Sequence, residues 1–129
     1  MSSIFTKIIN KEIPAYIIDE DDDFIAFLDI NPVQKGHTLV VPKKEIDYIF
    51  DLDDNYLSKI LIYSKKIANA LKKTVSCNRI GISVIGLEIP HTHIHLIPIN
   101  SIEDMDFKNK VNLSKGEMIE LLNNIKSNL

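Results

Sequence analysis

His91-Thr92-His93-Ile94-His95-Leu96-Ile97-Pro98 sets an imidazole at every second position. Successive side chains of an extended chain point to opposite faces. The spacing therefore predicts a strand over residues 92–99, with His91, His93 and His95 along one side and Thr92, Ile94 and Leu96 on the other. A helix would scatter the three rings. Pro90 and Pro98 bracket the segment, as suits a short strand whose ends lie at a sheet edge or mouth.

Working outward, residues 80–85 read as a neighbouring strand, and residues 15–19 and 24–29, rich in Ile, Tyr and Phe, as two more. Acidic residues 20–23 form the turn between that pair; they lack the Gly and the spaced ligands of a calcium loop. Asn31-Pro32 and Lys35-Gly36 mark a loop, after which residues 37–41 read as a strand stopped by Pro42, with His37 at its mouth. Residues 4–10 have room for one or two helical turns. From Asp53 onward, Leu57, Ile60, Leu61, Ser64, Ile67, Ala68 and Leu71 recur at spacings of three and four, the stripe of an amphipathic helix capped by Asp51 or Asp53. Lys65, Lys66, Lys72 and Lys73 keep its other faces wet. Ser114-Lys115-Gly116-Glu117 has capping-box spacing, with Leu113 and Met118 placed as a hydrophobic staple, and starts a final helix over about residues 115–128. Five strands, two longer helices and hairpin-length links in the first half predict an α+β fold with a five-stranded antiparallel sheet, the one long crossover carrying the central helix.

The 129 residues suit one domain, 1–129. With 45% apolar and 26% charged residues, the chain is neither disordered nor fibrous in character. Fifteen Lys and Arg against eighteen Asp and Glu leave a net charge of −3, and a pI near 5.8 argues against a partner held through nucleic-acid phosphates. Cys77 stands alone, so no intrachain disulfide and no thiolate zinc site is expected, as suits a reducing cytosol. No apolar run approaches the length of a membrane span, and the N-terminus lacks the pattern of a secretory signal. A cytoplasmic protein is expected.

Three readings of the histidines compete. They can be packed or solvent-facing residues that a strand tolerates. They can bind metal, although His91 and His95 lie about 13 Å apart along a strand and cannot both approach one ion at bonding distance. His91 and His93, joined by His37 or Glu88, would make a ligand set. In the third reading, which the pattern favours, one imidazole is a nucleophile and its neighbours donate hydrogen bonds and handle protons. A free ring nitrogen can attack phosphorus while the other nitrogen donates to a carbonyl that fixes the tautomer. Main-chain N–H groups and flanking imidazoles would then serve the anionic centre in place of a metal.

These residues resemble the histidine triad (HIT) family, whose signature alternates His with apolar positions; Thr92 is the weak match. The resemblance extends to Ile4-Phe5-Thr6-Lys7-Ile8-Ile9-Asn10-Lys11-Glu12-Ile13-Pro14-Ala15, similar to the opening of the Hint-like branch, to Ala26-Phe27-Leu28-Asp29-Ile30-Asn31-Pro32, and to His37-Thr38-Leu39-Val40-Val41-Pro42-Lys43-Lys44. It covers residues 4–98. It implies a five-stranded antiparallel sheet with two helices, a homodimer with a continuous sheet, and hydrolysis or transfer at the α-phosphate of a nucleotide. By the same resemblance His93 matches the nucleophile that becomes a nucleotidyl-histidine, and His95 a phosphate contact. His91 and His37 match neighbours that orient the nucleophile and manage protons. Asp29 matches the carboxylate that accepts from the ribose hydroxyls, with the Ile30 backbone beside it. Phe5, Ile8, Ile13, Phe27 and Ile30 match the apolar slot for the base, and each would equally serve as core.

The chain also departs from the family pattern. Where many relatives carry Gln and Ser or Thr to bind the phosphate, it has Gly86-Leu87-Glu88. Leu87 cannot donate and an ionised Glu88 repels phosphate unless it turns away, which leaves the backbone N–H groups of residues 86–88. Ser3 and Thr6 stand where bacterial relatives often hold a Cys pair, and Glu45 where some hold a further His, so no structural zinc and no cofactor is expected. The resemblance implies a homodimeric phosphoramidase acting on AMP or GMP derivatives. A dinucleoside polyphosphate hydrolase and a nucleotide-binding partner module with weak catalysis are the alternatives.

Overall fold

The computed structural model describes residues 2–129. In chain order it contains helix α1 (Ile4–Ile9), strands β1 (Ile17–Glu20), β2 (Phe24–Leu28) and β3 (Thr38–Pro42), helix α2 (Asp54–Thr74), strands β4 (Arg79–Ser83) and β5 (Ile94–Ile99), and helix α3 (Lys115–Ser127), with short 3-10 turns at Ile49–Asp51 and Ile102–Met105. The strands form one antiparallel sheet in the order β1-β2-β3-β5-β4. This is the α+β fold expected from the pattern.

Strand alternation divides the core in two. On one face Phe24, Ala26, Leu28, Val40, Ile94 and Leu96 meet α2 and α3 through Ile60, Ile67, Leu71, Met118, Leu121 and Ile125. On the other, Ile25, Phe27, Leu39 and Val41 meet Phe5 and Ile8 of α1. Each such buried side chain contributes about 1.5–3 kcal/mol relative to exposure. Because β2 and β3 are buried on both faces, their sequences read as continuous apolar runs.

Asp53, not Asp51, caps α2, its carboxylate accepting from the Tyr56 N–H at 2.8 Å. The buried stripe differs from the expected one: Leu61 is exposed, while Tyr56, Tyr63 and Ala70 are buried. The tyrosines bury their rings and keep their hydroxyls paired, Tyr56 to the Asp23 carbonyl and Tyr63 to the Asp19 carboxylate, which ties α2 to the β1–β2 hairpin. At α3 the capping box forms in both directions, Glu117 N–H to Ser114 Oγ and Ser114 N–H to Glu117 Oε1, and Leu113 packs into the core cluster that contains Met118.

The histidine segment is corrected in detail. β5 begins at Ile94, and His91–His93 precede it outside the ladder, His91 in a bend and the Thr92 N–H and hydroxyl both leaving the sheet for the Ile46 carbonyl. Pro98 does not close the strand but sits inside it, opposite Ile80. The β3–β5 ladder has ended by then at Thr38↔Leu96, so the missing N–H of Pro98 is not needed on the β3 side. Gly36 lies against that ring with φ of 93°, and a Cβ there would stand 3.1 Å from Pro98 Cγ. Pro42 is the last residue of β3 rather than its stop, and His37 directly precedes the strand.

Candidate active site

The pairing Leu39↔His95 puts His95 on the α1 face of the sheet, and the contacts of the His93 and His91 rings with Phe5 of α1 put them on that same face. The Phe5 ring stands edge-on to both, with centroids 5.0 Å from His93 and 5.8 Å from His91. The three rings thus share one side, as the alternation predicted, although only His95 lies within a strand.

Main-chain anchors fix the proton on each ring. A carbonyl can only accept, so His91 Nε2, 2.8 Å from the Pro42 oxygen, carries hydrogen. Burial holds the His91 pKa below its ordinary value, the ring is neutral, and its Nδ1 accepts from Ser3 Oγ at 2.6 Å. His93 Nδ1 lies 2.7 Å from the His91 carbonyl and so also carries hydrogen, which makes Nε2 the nitrogen that can present a lone pair. On the other flank the Val33 N–H donates to His37 Nδ1 at 3.1 Å, so the proton of His37 sits on Nε2 and points to His95 Nδ1 at 2.9 Å. His95 therefore carries its own hydrogen on Nε2. Burial, reinforced by the neighbouring cationic positions, pushes His37 down to about 3 and His95 to about 4, which keeps both neutral.

Among the described residues neither His93 Nε2 nor His95 Nε2 has a partner, and no fully buried side-chain nitrogen or oxygen lacks one. Both atoms therefore reach the cavity that the two rings line, a space of about 730 Å³. A bare imidazole nitrogen beside an imidazole N–H, with ring centroids 5.0 Å apart, pairs a nucleophile with an anion donor. Phe5, Ile8, Ile13 and Phe27 form an apolar wall of that cavity, and Asp29, Ile30, Gly86, Leu87 and Glu88 line it too. Ile30 is 70% exposed and Leu87 89%, so these two stand as rim rather than floor. Gly86 turns the Leu87 loop with φ of 72°. Asp29 accepts from the Asn31 N–H through Oδ1 at 2.8 Å, and its Oδ2 lies 3.6 Å from His37 Nε2. Burial raises its pKa, against the lowering by the Asn31 N–H and Lys110. His91 and His37 do not line the cavity; they stand behind the rings that do.

A family model for the HIT domain matches residues 10–102 of the chain. The chain belongs to the HIT family. It is 43% identical to an uncharacterized HIT-like protein of Borreliella burgdorferi, over 98% of this chain and 97% of that one. To the adenosine 5′-monophosphoramidase of Saccharomyces cerevisiae it is 36% identical, over 74% of this chain and 61% of the yeast protein. The crystal structure of a HIT-like protein from Bartonella henselae superposes with a TM-score of 0.85 at 32% identity, covering 99% of this chain and 97% of the other.

Within this HIT fold the metal-ligand set of His91 and His93 with His37 or Glu88 does not assemble, because both nitrogens of His91 are held, by Ser3 and by Pro42. Among the described residues the ligand atoms that do come within 4.8 Å of one another belong to Asp29, His37 and His95. There the His37–His95 hydrogen bond occupies the two facing nitrogens, and Asp29 Oδ2 stands beside that bonded pair, 3.6 Å from His37 Nε2. The cavity also holds residues that the sequence did not assign to a site, among them Phe107, with its ring 4.8 Å from His95, and Lys110. These two lie beyond the last strand, in a loop pinned by the Val111 N–H to the Pro32 carbonyl, and no periodicity marks them.

Proposed function

We propose that the chain is a nucleoside phosphoramidase acting on AMP or GMP amidates through a covalent intermediate on His93. The observation that carries the reading is the bond from His93 Nδ1–H to the His91 carbonyl, which aims a lone pair on Nε2 into a cavity with an apolar wall and a carboxylate. In this mechanism Nε2 attacks the α-phosphorus, a P–N bond to His93 forms, and the P–N bond to the leaving amine breaks as the amine takes a proton from solvent. His95 Nε2–H donates to a non-bridging oxygen as charge builds there. Water then attacks phosphorus and returns the ring, releasing the nucleoside monophosphate. The base sits against Phe5, Ile8, Ile13 and Phe27, and Asp29 accepts from the ribose hydroxyls. The similarity to the yeast adenosine 5′-monophosphoramidase supports the same class.

The site needs no metal and no cofactor in this reading. The chain forms one catalytic unit over residues 1–129, located in the cytoplasm. We propose a homodimer joined through β4, whose only strand neighbour among the described residues is β5 and whose Ile82, with Val84 just beyond it, is exposed. A second reading, a nucleotide-binding module with weak turnover, draws on Leu87 and Glu88, which bring no side-chain donor to the cavity rim. Hydrolysis of adenosine 5′-phosphoramidate in the presence of a chelator decides between them. Activity in the native protein and its loss in His93→Ala support the phosphoramidase; tight nucleotide binding without a burst of product in either favours the module.

A further inference from the structure

The N-terminal turn does more than cover the apolar slot. Ser3 caps α1, accepting from the Thr6 N–H at 3.0 Å, and with the same oxygen it reaches His91 Nδ1 at 2.6 Å. A hydroxyl has a single hydrogen to give. The other candidate acceptor, Thr6 Oγ1, is at 3.3 Å and already donates its own hydrogen to Glu45 Oε1 at 2.7 Å. His91 Nδ1 is a buried acceptor whose ring has committed its proton to the Pro42 carbonyl, so the Ser3 hydrogen belongs to it. Glu45 in turn takes the Ser3 N–H at 2.6 Å, so the residue is fixed by its backbone as well as by its side chain.

We propose that Ser3 is a positioning residue for the nucleophile: by donating to His91 Nδ1 it locks the tautomer and place of His91, whose carbonyl holds the proton of His93 on Nδ1 and so keeps the lone pair on Nε2. The chain of contacts runs Ser3 Oγ–H to His91 Nδ1, His91 Nε2–H to the Pro42 carbonyl, and His93 Nδ1–H to the His91 carbonyl. Remove the first link and His91 keeps a buried acceptor with no donor, which is relieved if the ring turns or moves its proton. Either change shifts the peptide whose oxygen steers His93. The proposal rests on the reading of His93 as nucleophile for its kinetic consequence, but not for its structural one.

Three substitutions separate positioning from helix capping. Ser3→Thr keeps cap and donor. Ser3→Asp keeps the cap, since Asp is as good an N-cap as Ser, but offers only acceptors to Nδ1. Ser3→Ala removes both. Nitrogen-15 NMR of the histidine rings reads the tautomers directly in the full chain, and turnover of adenosine 5′-phosphoramidate across pH reads the consequence. His91 is expected to show a bare Nδ1 in the native protein and in Ser3→Thr, and a protonated Nδ1 in Ser3→Asp. With it, kcat is expected to fall about tenfold in Ser3→Asp and Ser3→Ala, the loss of one hydrogen bond's worth of positioning, with KM little changed. The acid limb of the pH profile should move in Ser3→Asp but not in Ser3→Thr. A His91 tautomer and a kcat unchanged in Ser3→Asp would overturn the proposal. If the native protein does not turn over the amidate, the function reading fails while the NMR result still decides the Ser3–His91 link. If Ser3→Ala does not fold, the Ser3→Asp and Ser3→Thr pair carries the test alone.

Discussion

His37 Nε2 donates to His95 Nδ1 across 2.9 Å, and the direction of that bond is set four residues earlier in the chain, where the Val33 N–H occupies His37 Nδ1. A loop amide therefore decides which nitrogen of His95 presents hydrogen to the cavity. His37→Ala removes the donor and leaves His95 free to place its proton on either nitrogen. The expected result is a kcat for the amidate lowered about tenfold, the equivalent of one hydrogen bond between neutral groups. His37→Gln, whose amide nitrogen can still donate, should retain more activity than His37→Ala; equal loss in the two would argue that the ring is needed for packing and not for its N–H.

The same burial makes the fold acid-sensitive in a defined window. His37 is held at about 3 and His95 at about 4, whereas an unfolded histidine titrates near 6.5. Above about pH 6.5 both states are neutral at these positions and the stability is fully present. As pH falls below that value the unfolded chain takes up protons that the folded one refuses, so each ring lowers the stability by about 1.4 kcal/mol per pH unit until its folded pKa is reached. Urea midpoints measured at pH 7, 6 and 5 should fall steadily, before most carboxylates titrate, and the slope should flatten in His37→Gln. A midpoint constant from pH 7 to 5 would mean that the rings accept protons without unfolding.

How much of this was legible in the sequence follows from the range of the interactions. The alternation of His91, His93 and His95 gave their common face, because period two is a local property of extended chain. The capping box at Ser114 and the helix start at Asp53 were likewise local. Where β5 begins was not, since Thr92 leaves the ladder for the carbonyl of Ile46, a residue 46 positions away. On α2, Ile60, Ser64, Ile67 and Leu71 are buried as the stripe predicts, but the buried face extends to Tyr56, Tyr63 and Ala70 rather than Leu61, because the tyrosine hydroxyls are tied to the β1–β2 hairpin, contacts distant in sequence. Phe5, Ile8, Ile13, Phe27 and Ile30 line the cavity, while Phe107 and Lys110, brought in by a loop contact to Pro32, carried no pattern to find.

Lys110 is the cation on the cavity wall that the sequence reading did not use, and its charge acts on Asp29, His37 and His95 together. An exposed ammonium held near, but not bonded to, these groups attracts an anionic substrate rather than taking part in bond making. Lys110→Ala is expected to raise KM for the amidate and leave kcat nearly unchanged, and the difference between the two proteins should shrink as salt is added. A fall in kcat at saturating substrate would instead place the ammonium on the phosphoryl oxygens.

Asp29 offers the sharpest test of where the sugar lies. Its Oδ1 is committed to the Asn31 N–H at 2.8 Å, which leaves Oδ2, 3.6 Å from His37 Nε2, as the acceptor this cavity-lining residue offers to a ribose hydroxyl. If it accepts from the 2′-hydroxyl, the native protein should prefer the ribonucleoside amidate over the 2′-deoxy amidate by about 10- to 100-fold in kcat/KM, the range for a hydrogen bond to a charged acceptor. Asp29→Ala should lose that preference by slowing the ribo substrate while leaving the deoxy substrate nearly as it was. Asp29→Asn keeps the bond to Asn31 but puts a donating NH2 where Oδ2 stood, so the hydroxyl can only accept there and the variant should fall between the two. The pattern matters more than the size of any one rate, because a carboxylate that served only to brace His37 would slow both substrates equally and leave their ratio untouched. A ratio that survives in Asp29→Ala would move the sugar away from this residue and, with it, the base away from the wall of Phe5 and Phe27.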